Sequence, residues 1–135
     1  MKKIISLMLV LLAFVCVSTI NIEGQNAFVQ AAQAVEYSQV QALHILVPTE
    51  QEAINIRKEI MSGQDKKQIF NNFMNAAKKY SKCPSGSSGG ILGWFGRGDM
   101  VPSFENAAFA LPNGQVSQPV KTSYGWHLIY VISKK

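Results

Sequence analysis

Three side chains in this sequence could carry out chemistry: His44, Cys83 and His127. The two histidines are the only ones in the chain, and each lies in an apolar run that predicts a strand, ALHILV for the first and WHLIYVI for the second. Cys83 comes directly before a loop rich in glycine and serine, PSGSSGG. Because the first and last strands of a sheet can be neighbours, these residues form a candidate site.

Residue chemistry alone leaves several uses for such a site open. A cysteine beside a histidine can act as a thiolate nucleophile, but cysteine protease signatures are absent, and no helix N-terminus is evident where Pro84 follows Cys83. The same cysteine and the two histidines are a possible zinc ligand set, although no local spacing motif supports it. The loop lacks the Gly-Lys-Ser/Thr ending of a phosphate-binding loop. The plain alternative is a pair of hydrogen-bonded core histidines.

The stretch after Cys83 favours an apolar binding spot beside these residues. Its glycine-rich loop leads to a short apolar segment, a tight turn at Gly96-Arg97-Gly98-Asp99 and a helix start near Val101. Glycines allow the chain to bend closely, which can bring Leu92, Met100 and Phe104 to one concave place. By spacing alone, Met100 and Phe104 could equally be ordinary core residues.

The elements that position these side chains follow from the patterning of the chain. Thr49 and Glu52 form a capping box, and apolar residues at helical spacing mark a second helix, with a predicted buried stripe of Ile69, Phe73, Ala76 and Tyr80. The predicted elements are strand Ala42–Val47, helix Thr49 to about Ser62, helix Lys66–Tyr80, strand Leu92–Phe95, a helix with Pro102 in its first turn, edge strand Val116–Lys121 and strand Trp126–Ile132. The order β-α-α-β-α-β-β predicts a four-stranded sheet whose last two strands form a hairpin.

The first residues have the layout of a secretory signal. Lys2 and Lys3 precede an apolar run, Ile4 to Val17, that is shorter than the about 20 residues of a membrane span. Ala32-Gln33-Ala34 offers a small-x-small cleavage site, which predicts a signal peptide over residues 1–34 and a domain over residues 35–135. An uncleaved N-terminal anchor is the alternative. Cys16 is interpreted as part of the apolar run.

Charge and cysteine content limit the partners of the predicted domain. The 135-residue chain has a formal net charge of +5, and its lysines are scattered, so no nucleic-acid footprint is expected. Cys83 is the one cysteine outside the predicted signal, so the domain has no disulfide and must be held by its apolar core.

Three segments together carry a family resemblance: ALHILV, then FMNAAKKYSKCPSGSSGGILGWFGRGDMVPSFENAAFAL, then GQVSQPVKTSYGWHLIYV. Over residues 41–135 the chain resembles the parvulin family of peptidyl-prolyl cis-trans isomerases. The resemblance implies an α+β fold with a four-stranded antiparallel sheet flanked by helices. It places His44 and His127 as paired histidines at the floor of the site, and Cys83 where the family has cysteine or aspartate.

The remaining site residues are also implied by the resemblance. Leu92, Met100 and Phe104 match the apolar residues that receive the proline ring, Thr122 matches a hydroxyl near the histidines, and Tyr124 matches another site-lining position. The implied activity is non-covalent prolyl isomerisation with no metal or organic cofactor. A peptide-binding chaperone that uses the same groove without catalysis is the alternative.

The implied setting is outside the cytoplasm, in a periplasm, a cell envelope or the medium. Partners would be proline-containing unfolded or nascent exported polypeptides, with membrane contact only through an uncleaved N-terminal segment. The chain departs from the family pattern at Ile91, where an aspartate commonly follows the two glycines. The link Pro48-Thr49-Glu50 lacks a basic cluster, so recognition of phosphorylated Ser/Thr-Pro is not expected.

Overall fold

The computed structural model describes residues 36–135, so the predicted signal peptide over residues 1–34 lies outside the described part. In chain order the elements are β1 (Gln39–Val47), α1 (Glu50–Met61), α2 (Lys66–Tyr80), a 3-10 helix (Pro84–Ser88), β2 (Ile91–Gly96), α3 (Pro102–Ala110), β3 (Val120–Thr122) and β4 (Gly125–Lys134). Within residues 36–135, no helix combines the length and apolar character that crossing a membrane requires.

The four strands form one antiparallel sheet in the order β2-β1-β4-β3, which confirms the predicted fold. The first and last strands are the central pair, and β3 and β4 form the predicted hairpin. In the β1–β4 register, His44 pairs with Ile129 and Leu46 pairs with His127. The two histidines are therefore diagonal neighbours on adjacent strands.

Alternation along β1 divides its side chains between two apolar clusters, as the ALHILV pattern predicts. Leu43, Ile45 and Val47 join α1 and α2 on one face of the sheet, where Phe73 of α2 is fully buried. The other face carries Val40 and Ala42 of β1 with Ile129 and Val131 of β4, packed against α3. Burying one large apolar side chain contributes about 1.5–3 kcal/mol, so both clusters stabilise the sheet that holds the site.

Side chains cap the first turns of α1 and α2, and the cap of α1 is the predicted one. Thr49 Oγ1 accepts a hydrogen bond from Glu52 N at 3.3 Å at the start of α1. Asp65 Oδ1 accepts one from Gln68 N at 2.8 Å at the start of α2. These side chains satisfy amide groups that the first helical turn leaves without partners. Along α2 the buried stripe differs slightly from the prediction, because Ala77 is buried whereas Ile69 and Tyr80 are only half-buried.

Two segments differ from the sequence-based prediction. The predicted edge strand over Val116–Lys121 is reduced to β3, preceded by a single bridge between Val116 and Tyr130. Pro119 interrupts it because proline has no N–H for the ladder. The loop after Cys83, for its part, is an ordered 3-10 helix that ends at Gly89 in the left-handed region, with φ of 79°.

Gly90, directly after that helix, shows why glycine is needed in this loop. Its φ is 83°, and a Cβ at this position would collide with the carbonyl oxygen of His44. The Gly90 carbonyl in turn accepts a hydrogen bond from His44 N at 2.9 Å. The close approach joins the 3-10 helix to β1, and it brings the residues after Cys83 next to the first histidine.

Candidate active site

The two central strands bring the histidines into direct contact. His44 and His127 have ring centroids 5.4 Å apart and planes inclined by only 18°, and their Nδ1 atoms lie 3.2 Å apart. Their side chains lie on the α3 side of the sheet and are 6% and 5% exposed. The structure therefore brings together two residues that are distant in sequence, in a place that is nearly shielded from water.

The histidine pair lies in the middle of a line of polar side chains. His44 Nε2 is 3.0 Å from Ser85 Oγ, which is 3.4 Å from Cys83 Sγ. On the other side, His127 Nε2 is 2.7 Å from Thr122 Oγ1. Cys83 is thus connected to His44 through Ser85, and we did not predict that serine from the sequence. Its only signal was a hydroxyl within a loop that starts at a candidate site residue.

Burial keeps both imidazoles neutral near neutral pH. Desolvation and the neighbouring His127 lower the pKa of His44 from 6.5 to about 4. Desolvation also lowers the pKa of His127. A second positive charge 3.2 Å away would be strongly repelled in so dry an environment, which explains the additional effect on His44.

Neutral rings restrict how the line can be hydrogen-bonded. One Nδ1 must donate its proton and the other must accept it, because a neutral imidazole has one N–H and one lone pair. If His127 donates to His44, then Thr122 donates to His127, His44 donates to Ser85, and Ser85 donates to Cys83. If His44 donates, every bond in the line reverses. The four hydrogen bonds between these five side chains therefore reverse their donor–acceptor direction together. In this way the Cys83 thiol at one end is coupled to the Thr122 hydroxyl at the other.

An apolar cavity opens in front of the histidines. Its volume is about 330 Å³, and ten residues line it: His44, Leu46, Cys83, Leu92, Asp99, Met100, Val101, Phe104, Tyr124 and His127. Seven of the eight site residues that the sequence suggested are among them. The exception is Thr122, which reaches the site through His127. Leu46, Asp99 and Val101 are lining residues that the sequence analysis missed.

Phe104 fixes the back of the cavity. It is 3% exposed, and its ring meets His44 and His127 edge-on, with centroids 5.6 and 5.3 Å away. Tyr124, by contrast, is 72% exposed at the opening, and its backbone N–H donates to Thr122 Oγ1 at 3.2 Å. The cavity therefore has a buried aromatic back wall and a water-exposed rim. Ile91, the departure from the family pattern, is 48% exposed and does not line the cavity.

A buried carboxylate holds the turn between β2 and α3. Glu105 is 8% exposed, accepts a hydrogen bond from Gly98 N at 2.8 Å through Oε2, and pairs with Arg97 at 3.3 Å through Oε1. The turn leads directly to Met100, so its geometry sets one wall of the cavity. We did not predict this role from the sequence, because an acidic residue in the first turn of a helix is ordinary.

The arrangement favours binding over bond cleavage. The path from Cys83 to His44 runs through Ser85 instead of forming a direct thiol–imidazole pair. Within residues 36–135, no three histidine, cysteine or acidic side chains are grouped so as to hold a metal ion. What the site offers is an apolar cavity large enough for a ring, floored by neutral groups that can donate or accept hydrogen bonds.

A family model and a curated relative both match most of the described part of this chain. The model of the PPIC-type PPIASE (rotamase) domain matches residues 44–133. The foldase protein PrsA of Geobacillus sp. (strain WCH70) is 47% identical over 97 residues, covering 71% of this chain and 33% of the relative. The chain therefore spans about a third of the length of that curated relative, as the 33% coverage shows.

Two solved structures extend the comparison to the fold. One comes from a study of PEB4 and the periplasmic protein Cj1289, two SurA-like chaperones of Campylobacter jejuni, with a TM-score of 0.69, 40% identity, and coverage of 82% of this chain and 45% of that one. The other is NmPin, the parvulin of Nitrosopumilus maritimus, with a TM-score of 0.61 and 35% identity. This second match covers 73% of this chain and 100% of NmPin.

Proposed function

The chain belongs to the family of PPIC-type peptidyl-prolyl cis-trans isomerase domains, and from this membership we propose that it isomerises X-Pro bonds in unfolded polypeptides outside the cytoplasm. Leu92, Met100 and Phe104 hold the proline ring, and His44, Cys83 and His127 face the amide that rotates. The single observation that carries this assignment is the pair of neutral, hydrogen-bonded histidines at the floor of an apolar cavity.

The uncatalysed reaction explains why such a site suffices. Rotation about an X-Pro bond meets a barrier of about 18–20 kcal/mol and takes tens to hundreds of seconds. At the transition state the amide is twisted and has lost its conjugation, so it is less polar than either planar form. A dry apolar cavity consequently stabilises the twisted amide relative to the planar ones. No covalent bond and no net proton transfer are required.

The line of hydrogen-bonded side chains from Cys83 to Thr122 contributes by fixing the two histidines at the floor of the cavity. The coupled hydrogen bonds from Cys83 through the histidines to Thr122 hold both imidazoles in one orientation. Neutral groups suit this task, because a charged imidazole would favour the more polar planar amide. Each tenfold gain in rate requires only about 1.4 kcal/mol, so several modest contacts can supply a useful acceleration.

The proposed substrates and location rest on the relatives. PrsA is called a foldase, and one of the two solved structures comes from a study of SurA-like chaperones that include a periplasmic protein. Foldases and chaperones act on unfolded polypeptides, and a signal peptide over residues 1–34 would deliver this chain to such clients. Mass spectrometry of the mature N-terminus, with Val35 expected as the first residue, tests the proposed division at residues 34 and 35.

The test of the activity is exchange NMR on short X-Pro peptides with the purified protein. We expect faster cis-trans exchange for the wild type and a loss of about tenfold or more for Met100→Ala, because truncation opens the wall that holds the proline ring. Met61→Ala is the matched control, since Met61 is 42% exposed on α1 and does not line the cavity. Binding that broadens the peptide signals without faster exchange would instead identify a non-catalytic chaperone.

A further inference from the structure

The cavity carries one permanent charge, and that charge is negative. Of the ten lining residues, only Asp99 has a side chain that is charged near neutral pH, since the low pKa of His44 and the lowered pKa of His127 keep both rings uncharged. The other lining side chains are apolar or weakly polar. A ligand in the cavity therefore meets a hydrophobic surface with one carboxylate at its edge.

The carboxylate of Asp99 is held in place by the turn to which it belongs. Asp99 Oδ2 accepts a hydrogen bond from Gly96 N at 2.7 Å, and Asp99 N donates to Gly96 O at 3.3 Å. The other carboxylate oxygen, Oδ1, has no hydrogen-bond partner within residues 36–135, and the side chain is exposed. One oxygen is thus used to fix the group, and the other is available to a ligand without further ordering of the side chain.

The nearest arginine in sequence does not neutralise this carboxylate. Arg97 Nη1 donates to Glu105 Oε1 at 3.3 Å and to Asn106 Oδ1 at 3.1 Å. Its guanidinium also lies 4.1 Å from the centre of the Phe109 ring. The one ion pair within 4.0 Å among residues 36–135 is that between Arg97 and Glu105, so Asp99 has no cationic partner there.

Two lysines, Lys82 and Lys121, are next to site residues in sequence but do not line the active-site cavity. Lys82, beside Cys83, lines a separate cavity together with Glu52 and Glu59 of α1. Lys121, beside Thr122, has its Nζ 5.9 Å from the centre of the Trp126 ring. Neither residue lines the active-site cavity, so Asp99 is the one acidic or basic residue, apart from the two histidines, among those that line it.

From these observations we infer that Asp99 is a specificity-determining residue, which favours substrates with a lysine or arginine next to the isomerised proline. The inference rests on the proposed function and deepens it by naming the substrate class. A proline ring in the cavity places its neighbouring residues at the rim, within reach of the free carboxylate oxygen. An ammonium or guanidinium there gains a charge-assisted hydrogen bond, whereas a glutamate meets a like charge.

The preference is local and of moderate size. The chain as a whole has a formal charge of +5, which opposes cationic peptides at long range. A contact at Asp99 acts over a few ångströms, well inside the screening length of about 10 Å at 0.1 M salt. Exposed ion pairs of this kind change affinity by about 2- to 5-fold, and that is the selectivity we expect for lysine over its neutral analogue.

The experiment measures kcat/KM for proline peptides in which the residue before or after proline is lysine, glutamine or glutamate. For the wild type at low salt we expect lysine to exceed glutamine by about 2- to 5-fold in at least one position, and glutamate to be lowest. The spread should shrink at about 0.5 M salt. In Asp99→Asn the lysine-to-glutamine ratio should fall close to one, because asparagine keeps an oxygen for Gly96 N but loses the charge.

Glu50→Gln is the matched control, since it removes one negative charge from the first turn of α1, outside the cavity. That variant should keep the wild-type ratio. Equal kcat/KM for lysine and glutamine peptides at low salt, or a ratio that survives in Asp99→Asn, would overturn the inference. If no peptide is isomerised faster than in buffer, the proposed function fails instead. The ratio of Kd values from NMR titration of the same peptides then decides the role of Asp99.

Discussion

The two faces of the sheet differ in how completely helices cover them. On one face, the 12 residues of α1 and the 15 residues of α2 close over β1 and β4, so that Leu43, Ile45 and Leu128 are fully buried. On the other face, α3 has only 9 residues. It packs over one half of the two central strands, and the half that carries His44 and His127 opens into the cavity.

This difference shows how one pair of strands can serve two purposes. Alternate residues of β1 point to opposite faces, so Ile45 strengthens the closed core while its neighbours His44 and Leu46 line the cavity. The closed face, which α1 and α2 cover, provides a rigid support. The site lies on the opposite, open face, where Phe104 of α3 contacts both histidines and the cavity opens in front of them. Substitutions on the closed face should therefore lower the free energy of unfolding without affecting peptide binding. Substitutions on the open face should also alter the protonation of the histidines or the isomerisation rate.

The largest expected effect is on the closed face. Phe73 is fully buried, so Phe73→Ala should lower the free energy of unfolding by about 3–5 kcal/mol, as measured by urea denaturation, because it leaves a cavity in the core. Phe70→Ala, at a half-buried position of the same helix, should cost less. If the alanine variant does not fold, Phe73→Leu provides a milder test. In folded protein, a large loss of affinity for proline peptides would contradict the separation of the two faces.

A second expected effect comes from acid and concerns the open face. The pKa of His44 is about 4 in the folded protein and 6.5 when unfolded, so the unfolded chain binds more protons between these values. The stability that neutral His44 contributes is therefore fully present above pH 6.5. It is lost progressively as the pH falls from 6.5 through about 4. The shift corresponds to roughly 3–4 kcal/mol from this histidine.

Urea denaturation of wild type and His44→Gln at several pH values measures this contribution. Glutamine does not titrate, so the variant should lose less stability on acidification, with a residual slope from His127, whose pKa is also lowered by burial. Carboxylates titrate in both proteins and cancel in the difference. The same acid-induced loss in both proteins would show that His44 is not held neutral by the fold.

The closed face and the histidine pair could be predicted from the sequence, whereas the supports of the site could not. Strand alternation places His44 and the neighbouring Ile45 on opposite faces without any knowledge of loops. Ser85 lies in a stretch whose glycines suggested irregular structure, and its bond to His44 depends on a 3-10 helix. Asp99 and Glu105 act through backbone amides of a turn, and such contacts depend on how the turn meets α3.

The smallest expected effect separates a hydroxyl that supports the site from one that only caps a helix. Thr122→Val keeps the shape of the side chain but removes the partner of His127 Nε2 and the acceptor for Tyr124 N. We expect a loss of about 1 kcal/mol in unfolding free energy, a changed ¹⁵N shift at His127 Nε2 and a several-fold lower isomerisation rate. Thr122→Ser should restore all three, because serine keeps the hydroxyl.

Thr49→Val is the matched control on the closed face, because Thr49 Oγ1 only caps α1 through Glu52 N. Its loss should also cost about 1 kcal/mol, yet leave the histidine signals and the isomerisation rate unchanged. Two threonine hydroxyls of similar energetic value would then differ in function, since only Thr122 is in hydrogen-bond contact with the coupled imidazoles. Equal effects of the two valine substitutions on the rate would mean that Thr122 contributes to folding alone, and that Phe104 and the strands suffice to orient His127.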